Sequence, residues 1–486
     1  MTVMDPAPTE PGLLFIGGRW ETAADGAVQP VLDPSSGREL STVAAAGAAD
    51  VARAVRAARA AFDAGDWSGR APRERGRILY RAAALLRERA EELARLESLD
   101  VGKPVMFTRT VDVPTAADTF EYYAGLAAGV EGAARPLAIP ALAYTRREPI
   151  GVVGAITPFN FPLILSVTKI APALAAGNTI VHKPAPETPL SALRLAEILR
   201  EAGVPDGVHN VLTGDGRAGQ ELTRHPGVDK IAFTGSSATG KAVAGLAAAT
   251  LKQVTVELGG KGANIIFADA DIEAAISTAI SAFVFNTGQF CMAGSRLLVE
   301  RPVYETVIQA LAEALPRIPV GDPFADGTIV GPMAGPGHLA KVRSYLDRAA
   351  ATSELRIHDG GDPPGPDGFF VRPALLAGAD QSSPFVQDEI FGPVVTVQPF
   401  DTEEEAIRLA NGTPYGLSAG LQTTNLSRAH RVAAALDAGI VWVNGWSLLD
   451  PAMPFGGVGL SGYGRENGPE GLDAYLRTKS VVVALP

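Results

Sequence analysis

The spacing of apolar residues changes near residue 150, so the two parts of the chain predict different elements. Residues 50–64 and 73–98 carry apolar side chains at three- and four-residue steps, which is typical of amphipathic helices. From residue 151 onward, short β-branched runs alternate with helical stretches. Such alternation indicates βαβ units on a parallel sheet, whose ligands bind at the carboxyl ends of the strands.

The alternating region predicts an α/β fold with two units. The predicted strands are 151–156, 179–183, 209–213, 230–234, 254–258 and 263–267, and the predicted helices are 190–201, 219–225 and 239–251. A second α/β unit is expected between about residues 271 and 460. We therefore predict a Rossmann-like parallel-sheet cofactor domain formed by residues 1–124 and 150–257, and a catalytic α/β domain formed by residues 258–460.

Two extended runs, 142–148 and 479–485, stand outside this alternation. A strand with no covered edge is a liability unless another chain pairs with it. We therefore expect residues 125–149 and 461–486 to form a small β oligomerisation extension, in a homodimer or a homotetramer.

Composition narrows the class of protein. A length of 486 residues exceeds what one hydrophobic core supports, and 47% hydrophobic with 20% charged residues is ordinary for a soluble protein. The net charge of -11 argues against a nucleic-acid or anionic-membrane partner. Met1–Pro11 shows no secretory signal, and no run of 18 apolar residues occurs. With a single cysteine, these features predict a cytoplasmic location.

The lone cysteine, Cys291, lies in the polar, glycine-punctuated run 286–295. It cannot form an intramolecular disulfide or a thiolate cluster, and we predict no metal site. A free cysteine is usually a small buried hydrophobe, whereas a thiol at a loop or helix entrance can be reachable and ionised. The local sequence leaves both interpretations open.

Other candidate groups are equally ambiguous when each is taken alone. Gly214-Asp-Gly-Arg-Ala-Gly and Gly235-Ser-Ser-Ala-Thr-Gly each follow a predicted strand and suit either phosphate binding or a plain turn. Glu257 ends a predicted strand and suits either a general base or an ion pair. Asn160, held between two prolines, suits either an oxyanion donor or a turn.

Seven motifs in fixed order carry a family resemblance. They are Pro158-Phe-Asn-Phe-Pro, Lys183-Pro-Ala, Phe233-Thr-Gly-Ser, Glu257-Leu-Gly-Gly-Lys, Gly288-Gln-Phe-Cys, Glu389-Ile-Phe-Gly-Pro and Pro454-Phe-Gly-Gly. In their order and approximate spacing, the chain resembles NAD(P)-dependent aldehyde dehydrogenases. The match runs from Phe15-Ile-Gly-Gly-Arg-Trp to the last predicted strand, which is nearly the full length.

The resemblance implies five catalytic residues. Cys291 would attack the aldehyde carbonyl, and the Asn160 amide with the Cys291 backbone N–H would stabilise the oxyanion. Glu257 would activate the water that hydrolyses the resulting thioester. Lys169 and Glu466 match positions that the family links to site polarity and a proton relay.

The resemblance also implies a dinucleotide site. Lys183 and Glu389 would hold ribose hydroxyls, Ser236 the pyrophosphate, and Phe391 would pack near the nicotinamide. The remaining predicted cofactor residues are Ile156, Thr157, Pro158, Phe159, Pro186, Gly216, Phe233, Gly235, Thr239, Leu258 and Gly259. Pro186 departs from the glutamate that NAD-preferring members frequently carry, so the prediction is NAD or NADP, with NAD favoured.

The expected substrate is a hydrophobic aliphatic or aromatic aldehyde. By resemblance, the tunnel residues are apolar: Phe161, Leu165, Phe290, Met292, Trp446, Leu449 and Phe455. A carboxylate-bearing semialdehyde would need a paired cation, and the stretch 446–455 has no arginine. The alternatives are a CoA-acylating semialdehyde dehydrogenase, which would lack Glu257, a hydrolase without redox activity, and a structural protein on the same fold.

Overall fold

The computed structural model describes residues 13–365 and 367–485. The segment Met1–Pro11, for which the sequence predicts no secretory signal, lies outside these residues. Within the described ranges, no helix has the length and apolar character needed to cross a membrane.

The strands of the described chain are mostly short. In chain order they are β1 Leu14–Ile16, β2 Arg19–Glu21, β3 Val28–Leu32, β4 Glu39–Ala44, β5 Ala134–Arg135, β6 Ala141–Pro149, β7 Val152–Ile156, β8 Thr179–Lys183, β9 His209–Val211, β10 Lys230–Thr234, β11 Gln253–Glu257, β12 Ala263–Ile266, β13 Arg296–Glu300, β14 Arg356–Asp359, β15 Ala374–Ala377, β16 Val394–Phe400, β17 Tyr415–Gly416, β18 Ser418–Gln422, β19 Ile440–Val443, β20 Val458–Gly459, β21 Gly462–Tyr463 and β22 Leu476–Ala484.

The helices lie between these strands and cover the sheets. They are α1 Ala48–Ala64, α2 Pro72–Glu88, α3 Ala90–Val101, α4 Val105–Phe107, α5 Val113–Leu126, α6 Pro162–Ala176, α7 Leu190–Ala202, α8 Gly216–Arg224, α9 Ser237–Ala248, α10 Ile272–Val284, α11 Arg301–Ala314, α12 Pro336–Ala350, α13 Pro384–Gln387, α14 Glu403–Ala410, α15 Leu426–Ala435 and α16 Gly468–Asp473. Short π or 3₁₀ turns follow α4, α5, α10 and α11.

The first sheet has the strand order of a dinucleotide-binding fold. It runs β2-β1-β9-β8-β7-β10-β11-β21, and its five central strands are parallel. In chain order these five are placed 3-2-1-4-5, so the order reverses between β7 and β10. Ligands of open α/β sheets bind in the crevice at such a reversal, beyond the carboxyl ends of the strands. The residues that follow β7 and β10 are therefore placed at the expected site.

The second sheet is also largely parallel, and the segment that contains Cys291 leads into one of its strands, β13. Its order is β14-β15-β16-β13-β12-β18-β19, with only the β14–β15 pair antiparallel. Cys291 lies in the connection between α10 and β13. The nucleophile candidate and the dinucleotide crevice thus come from different sheets and meet between them.

A third, antiparallel sheet joins the two extended runs that were predicted to stand outside the α/β alternation. Strand β22 pairs with β6 along nine residues, and β6 pairs with β5. Strand β21 behaves differently, because Gly462 and Tyr463 pair with β11 and extend the first sheet. Each of the three large sheets is built from the residues of one predicted domain, except that residues 461–486 contribute β21 to the first sheet and β22 to the third. The domain boundaries stay a prediction.

Each predicted helix differs from the structure in at least one bound, and two of the differences have a clear local cause. The helix predicted over 73–98 is two helices, because Arg89 leaves helical geometry with φ -102° and ψ 20°. The helix predicted from residue 219 begins at Gly216, where the Asp215 side chain accepts a hydrogen bond from the Arg217 N–H and caps the first turn. The β strands predicted at 179–183 and 230–234 have the predicted bounds.

Candidate active site

A cavity of about 660 Å³ opens at the carboxyl ends of β7 and β10. Its walls come from the loops after both strands, from α9, and from the segments around Cys291 and Glu389 in the second unit. The volume is within the range of cofactor and ligand sites, which run from about 300 to 1,000 Å³.

Every residue predicted to bind the cofactor lines this cavity. They are Ile156, Thr157, Pro158, Phe159, Lys183, Pro186, Gly216, Phe233, Gly235, Ser236, Thr239, Leu258, Gly259, Glu389 and Phe391. Two of the predicted catalytic residues, Cys291 and Asn160, and one predicted substrate residue, Leu165, are in the same walls.

The cavity wall around Glu389 leaves no room for a side chain at Gly259. A Cβ atom added there would lie 2.2 Å from the Glu389 Oε2 atom. The Gly260 N–H donates to Glu389 Oε1 at 2.9 Å, while burial raises the pKa of the Glu389 carboxyl. The glycine pair therefore lets the strand end approach the carboxylate directly, which holds its oxygens in a fixed position.

Lys183, on the opposite wall, is a buried ammonium between two carboxylates. Burial lowers the pKa of Lys183 to about 8, whereas the charges of Glu187 and Asp215 act to raise it. Asp215 is also paired with Arg217 at 2.9 Å, so the two carboxylates of this corner are balanced by two cations.

The cavity also has walls that the sequence reading did not assign. They are Ala185, Gly219, Gln220, Thr234, Ala242, Val243, Leu246, His338, Lys341 and Ile390. The His338 ring stacks on Phe159 with centroids 3.9 Å apart, and Phe159 meets the Phe391 ring edge-on at 5.7 Å. Residues 338 and 341 lie on α12, whose sequence has no turn or motif to distinguish it from an ordinary surface helix.

The segment before Cys291 is held in an unusual backbone conformation. Asn286, Thr287 and Gly288 have φ values of 50°, 56° and 68°. A Cβ at Gly288 would lie 2.2 Å from the Gly392 backbone, so the contact with the second sheet requires glycine there. Left-handed non-glycine residues of this kind store strain and collect at functional sites.

Cys291 is half-buried in the cavity wall and is a free thiol. Burial raises its pKa to about 12, and the charges of Glu389 and Glu257 act in the same direction. The backbone N–H groups of Met292 and of Cys291 itself oppose this shift. In the ligand-free protein the thiol is therefore protonated at neutral pH.

Asn160 presents its amide in the same wall. Its Nδ2 donates to the Gln289 carbonyl at 2.9 Å, and Asn286 Nδ2 donates to the Asn160 carbonyl at 2.8 Å. A side-chain amide has two N–H groups, so one remains for a substrate oxygen. These bonds tie the amide to the strained segment that carries Cys291.

Glu257, Lys169 and Glu466 lie behind the wall and do not line the cavity. Lys169 pairs with Glu466 and also donates to Thr234 Oγ1 at 2.6 Å. Both carboxylate oxygens of Glu257 are buried, and neither has a hydrogen-bond partner among the residues described. Burial and the neighbouring charge of Glu466 raise the pKa of Glu257 well above its usual range.

Most predicted substrate residues form one apolar cluster around the thiol. Phe161, Phe290, Met292 and Trp446 are buried in it, and Leu165, Phe455 and Cys291 pack against it. Ala282, Ala293, Leu417, Trp442, Phe285 and Ile164, which the sequence reading did not assign, belong to the same cluster. Leu449 is outside this cluster and 47% exposed.

Comparisons with known proteins agree with this geometry. The model of the aldehyde dehydrogenase family matches residues 20–481. A Burkholderia cenocepacia structure provisionally assigned as an aldehyde dehydrogenase is 45% identical, with 98% of this chain and 99% of that chain covered and a TM-score of 0.96.

Several similar solved structures contain NAD⁺, and two of them illustrate the likeness. An aldehyde dehydrogenase from Bacillus cereus is 41% identical, over 98% of this chain and 97% of that chain, with a TM-score of 0.96. A betaine aldehyde dehydrogenase from Staphylococcus aureus is 38% identical, over 98% and 95%, with a TM-score of 0.96. The predicted α/β fold class and the family resemblance are confirmed. The chain belongs to the aldehyde dehydrogenase family of NAD(P)-dependent oxidoreductases.

Proposed function

We propose that this enzyme oxidises a hydrophobic aliphatic or aromatic aldehyde to the carboxylic acid through a thioester on Cys291. The observation that carries the proposal is one continuous cavity, whose walls include Cys291, Asn160 and all the residues predicted for the dinucleotide. A cysteine outside that cavity could not share a substrate carbon with the cofactor.

The residues in the walls fit a dinucleotide. Lys183 and Glu389 would hold ribose hydroxyls, and the first turn of α9, which Ser236 caps, would face the pyrophosphate. The rings of Phe159 and Phe391 would bound the nicotinamide end. When bound, the dinucleotide supplies the acceptor for the hydrogen and two electrons that leave the substrate carbon.

NAD is favoured over NADP by the charges at the Lys183 corner. Pro186 supplies no carboxylate, but Glu187 and Asp215 both act electrostatically on Lys183. The Glu187 carboxylate would repel an added 2′-phosphate, whereas the charge of Asp215 is offset by its ion pair with Arg217. We therefore assign the negative charge that Pro186 omits to the neighbouring Glu187.

Acylation begins when the Cys291 thiol releases its proton to solvent water and the thiolate sulfur bonds to the aldehyde carbon, while the carbonyl π electrons move to oxygen. The Asn160 amide and the Cys291 backbone N–H would donate to that oxygen, which suits an oxyanion hole. Departure of the carbon-bound hydrogen with its electron pair then re-forms the carbonyl and leaves a thioester.

Hydrolysis is assigned to Glu257. Its carboxylate takes a proton from water as the water oxygen bonds to the acyl carbon, after which the carbon–sulfur bond breaks and sulfur leaves as thiolate. A buried carboxyl with a raised pKa is suited to this, because a general base works best with a pKa near the working pH.

The substrate class follows from the apolar cluster. Six aromatic side chains pack in the cluster that contains the thiol: Phe161, Phe285, Phe290, Trp442, Trp446 and Phe455. The same rings also give a second candidate, a cationic aldehyde, because aromatic faces attract quaternary ammonium groups. The Staphylococcus aureus relative is a betaine aldehyde dehydrogenase.

The oligomeric state is proposed from the third sheet. Leu142, Val482 and Val483 are about half exposed on the strands β6 and β22. A second copy of the chain would cover them, in a homodimer or homotetramer, which light scattering on the purified protein tests. A cytoplasmic location rests on composition alone and stays a prediction.

The decisive experiment replaces the proposed base. With Glu257→Gln, we expect one equivalent of reduced cofactor per active site and an acyl-enzyme visible by intact mass on Cys291, followed by slow release. Glu273→Gln, an exposed acid on α10, is the matched control and should turn over at the parent rate. Parent-like turnover by Glu257→Gln would rule out this base.

A substrate panel then separates the alternatives. Betaine aldehyde and 3,3-dimethylbutanal have nearly the same shape and differ in charge, so their kcat/KM ratio shows whether the rings select a cation or an apolar group. A kcat/KM for betaine aldehyde well above that for 3,3-dimethylbutanal would favour the cationic aldehyde over the hydrophobic one. Turnover that requires CoA would instead support the CoA-acylating alternative.

A further inference from the structure

A buried lysine lies against one of the aromatic rings of the thiol cluster. The Lys103 Nζ atom is 3.7 Å from the centre of the Phe161 ring. Phe161 packs in the same cluster as Cys291 and meets the rings of Phe285 and Phe290, whose centroids are 5.9 and 5.5 Å away. Of the six rings in this cluster, Phe161 alone has a cation over it within the described ranges of the chain.

The Lys103 ammonium is held in place by an acid. Lys103 donates to the Asp112 carboxylate, and neither side chain is exposed. Gly102 ends α3 in the left-handed conformation, with φ 82°, and Lys103 follows directly. Asp112 is the last residue of the π turn Thr108–Asp112. Such turns are rare in proteins and are frequently found at functional sites.

The stability of the fold does not account for this ion pair. Replacing a buried ion pair by well-packed apolar side chains is often neutral or stabilising, because both charges give up their hydration on burial. Burial raises the pKa of the Asp112 carboxyl, although the charge and hydrogen bond of Lys103 act to lower it. A charged pair that is retained beside the thiol cluster is therefore better explained by an effect on what binds there.

The ion pair is not directed at the nucleophile. Burial has the largest effect on the pKa of Cys291, and the side-chain charges that act on it are those of Glu389 and Glu257. Lys103 contacts Phe161 instead, which is one of the predicted substrate residues. Lys103 is thus placed to act on the part of the substrate that lies among the rings, rather than on the reacting sulfur.

We infer that Lys103 is a specificity-determining residue that disfavours cationic aldehydes, because its ammonium occupies a face of the Phe161 ring and places a positive charge beside the substrate site. This inference rests on the proposed function and favours the hydrophobic candidate over the cationic one. A ring attracts a cation through the negative potential of its face, and a cation already held there weakens that attraction for a second one. The two cations also repel each other directly, whereas a neutral aldehyde is subject to neither effect.

Glu97 is a further titratable group beside the ion pair. Its carboxylate accepts the Leu163 N–H at 3.0 Å, in the first turn of α6. Burial and the Asp112 charge raise the pKa of Glu97 to about 7, and the Lys103 charge acts to lower it. Loss of Lys103 therefore favours neutral Glu97, and loss of Asp112 favours its anion. In both cases Glu97 compensates for part of the charge that is removed.

The test removes each charge separately and measures kcat/KM for betaine aldehyde relative to 3,3-dimethylbutanal. Lys103→Met removes the ammonium, so this ratio should rise about three- to tenfold. Asp112→Asn keeps the ammonium and removes the anion that offsets it, so the ratio should fall about two- to threefold. A role limited to holding the Phe161 ring would move the ratio in the same direction in both variants. Shifts of opposite sign therefore distinguish an effect of charge from an effect of packing.

Lys230→Met is the matched control. Lys230 is also buried, with 2% exposure, and its Nζ donates to Thr255 Oγ1 at 2.7 Å and lies 5.1 Å from the centre of the Tyr475 ring. Tyr475 belongs to a different apolar cluster from Phe161. This variant should therefore lower the thermal midpoint and keep the parent ratio.

If Lys103→Met does not fold, the double variant Lys103→Met/Asp112→Asn decides the question, because it leaves no unpaired charge behind. Its ratio should exceed that of the parent, since the positive member of the pair is the one on the ring. An unchanged ratio in the folded variants, or shifts of the same sign in the two single variants, would overturn the inference. If the parent prefers 3,3-dimethylbutanal while the ratio does not move, only the Lys103 assignment fails. If the parent prefers betaine aldehyde, the proposed substrate class fails first.

Discussion

The thiol and the carboxyl that the proposed reaction needs are both buried, yet they have opposite surroundings. Cys291 is enclosed by aromatic and apolar side chains, and the charges that act on it are negative. Glu257 is buried near two opposite charges, of which Lys169 favours its anion and Glu466 opposes it.

This difference indicates how each group becomes active. The described structure places no cation near Cys291 to offset the burial that raises its pKa to about 12. Its activation must come with ligands, since an oxidised nicotinamide brings a positive charge into the cavity. Glu257, by contrast, has the charges of Lys169 and Arg465 built into the fold, so its proton affinity is set before any ligand binds.

The largest expected effect tests the thiol half of this comparison. Cys291→Ala should lose turnover by at least about 10⁴-fold, because Cys291 is the single thiol of the chain and the thioester is proposed to form on it. Cofactor affinity, measured by fluorescence titration, should be unchanged. Appreciable aldehyde oxidation by this variant would eliminate the covalent route.

Asn160→Ala tests the oxyanion donor beside the thiol. Loss of one such donor costs about 10²- to 10³-fold in kcat, and we expect that loss with cofactor binding intact. The matched control is Asn210→Ala, a buried amide bonded to Gly17, Ile180 and Gly207 outside the cavity. It should lower the thermal midpoint but leave kcat unchanged at a temperature where it is folded.

The pH dependence of thiol alkylation measures the surroundings of Cys291 directly. Only the thiolate reacts, so below a pKa of about 12 the rate with iodoacetamide should rise about tenfold per pH unit. The chain has one cysteine, so intact mass reports this site alone. A plateau between pH 7 and 9 in the ligand-free enzyme would show that a cation or proton acceptor already activates the thiol.

The cofactor residues were implied by the family resemblance, and the strand pattern explains physically why they lie together. Residues that follow parallel strands must meet at one sheet edge, so finding the strands at 179–183 and 230–234 also places Lys183 and Gly235. The short β-branched runs identify those strands locally. The predicted cofactor residues therefore line one cavity, although their individual roles remain proposals.

The parts that the sequence did not predict depend on contacts between distant segments. His338 and Lys341 of α12 line the cavity although they are far in sequence from its other walls. The pairing of β21 with β11 involves two residues, too few for any hydrophobic period. Leu449 shows the converse, because its position beside Trp446 in sequence does not bring it into the cluster.

Cofactor selection should show a moderate effect. Combining Glu187→Gln with Asp215→Asn removes the two carboxylates at the Lys183 corner, so discrimination against NADP should fall by about three- to tenfold. Both side chains are partly exposed, so the effect should shrink at high salt. The measurement is the ratio of kcat/KM values for NAD and NADP, with Glu273→Gln as control; an unchanged ratio would place the selecting group elsewhere.

The smallest expected effect concerns the His338 ring, which comes from the second α/β unit and lines the cofactor cavity. His338 stacks on Phe159 at 3.9 Å, and a stacked aromatic pair contributes about 0.5–1.5 kcal/mol beyond its area. His338→Ala should therefore weaken NAD binding by about two- to tenfold and leave kcat nearly unchanged. His338→Phe keeps the ring and loses the imidazole, so it should bind NAD as the parent does. If instead His338→Phe weakens binding as much as the alanine variant, the imidazole nitrogens, beside Glu187 at 3.9 Å, contribute more than the stack.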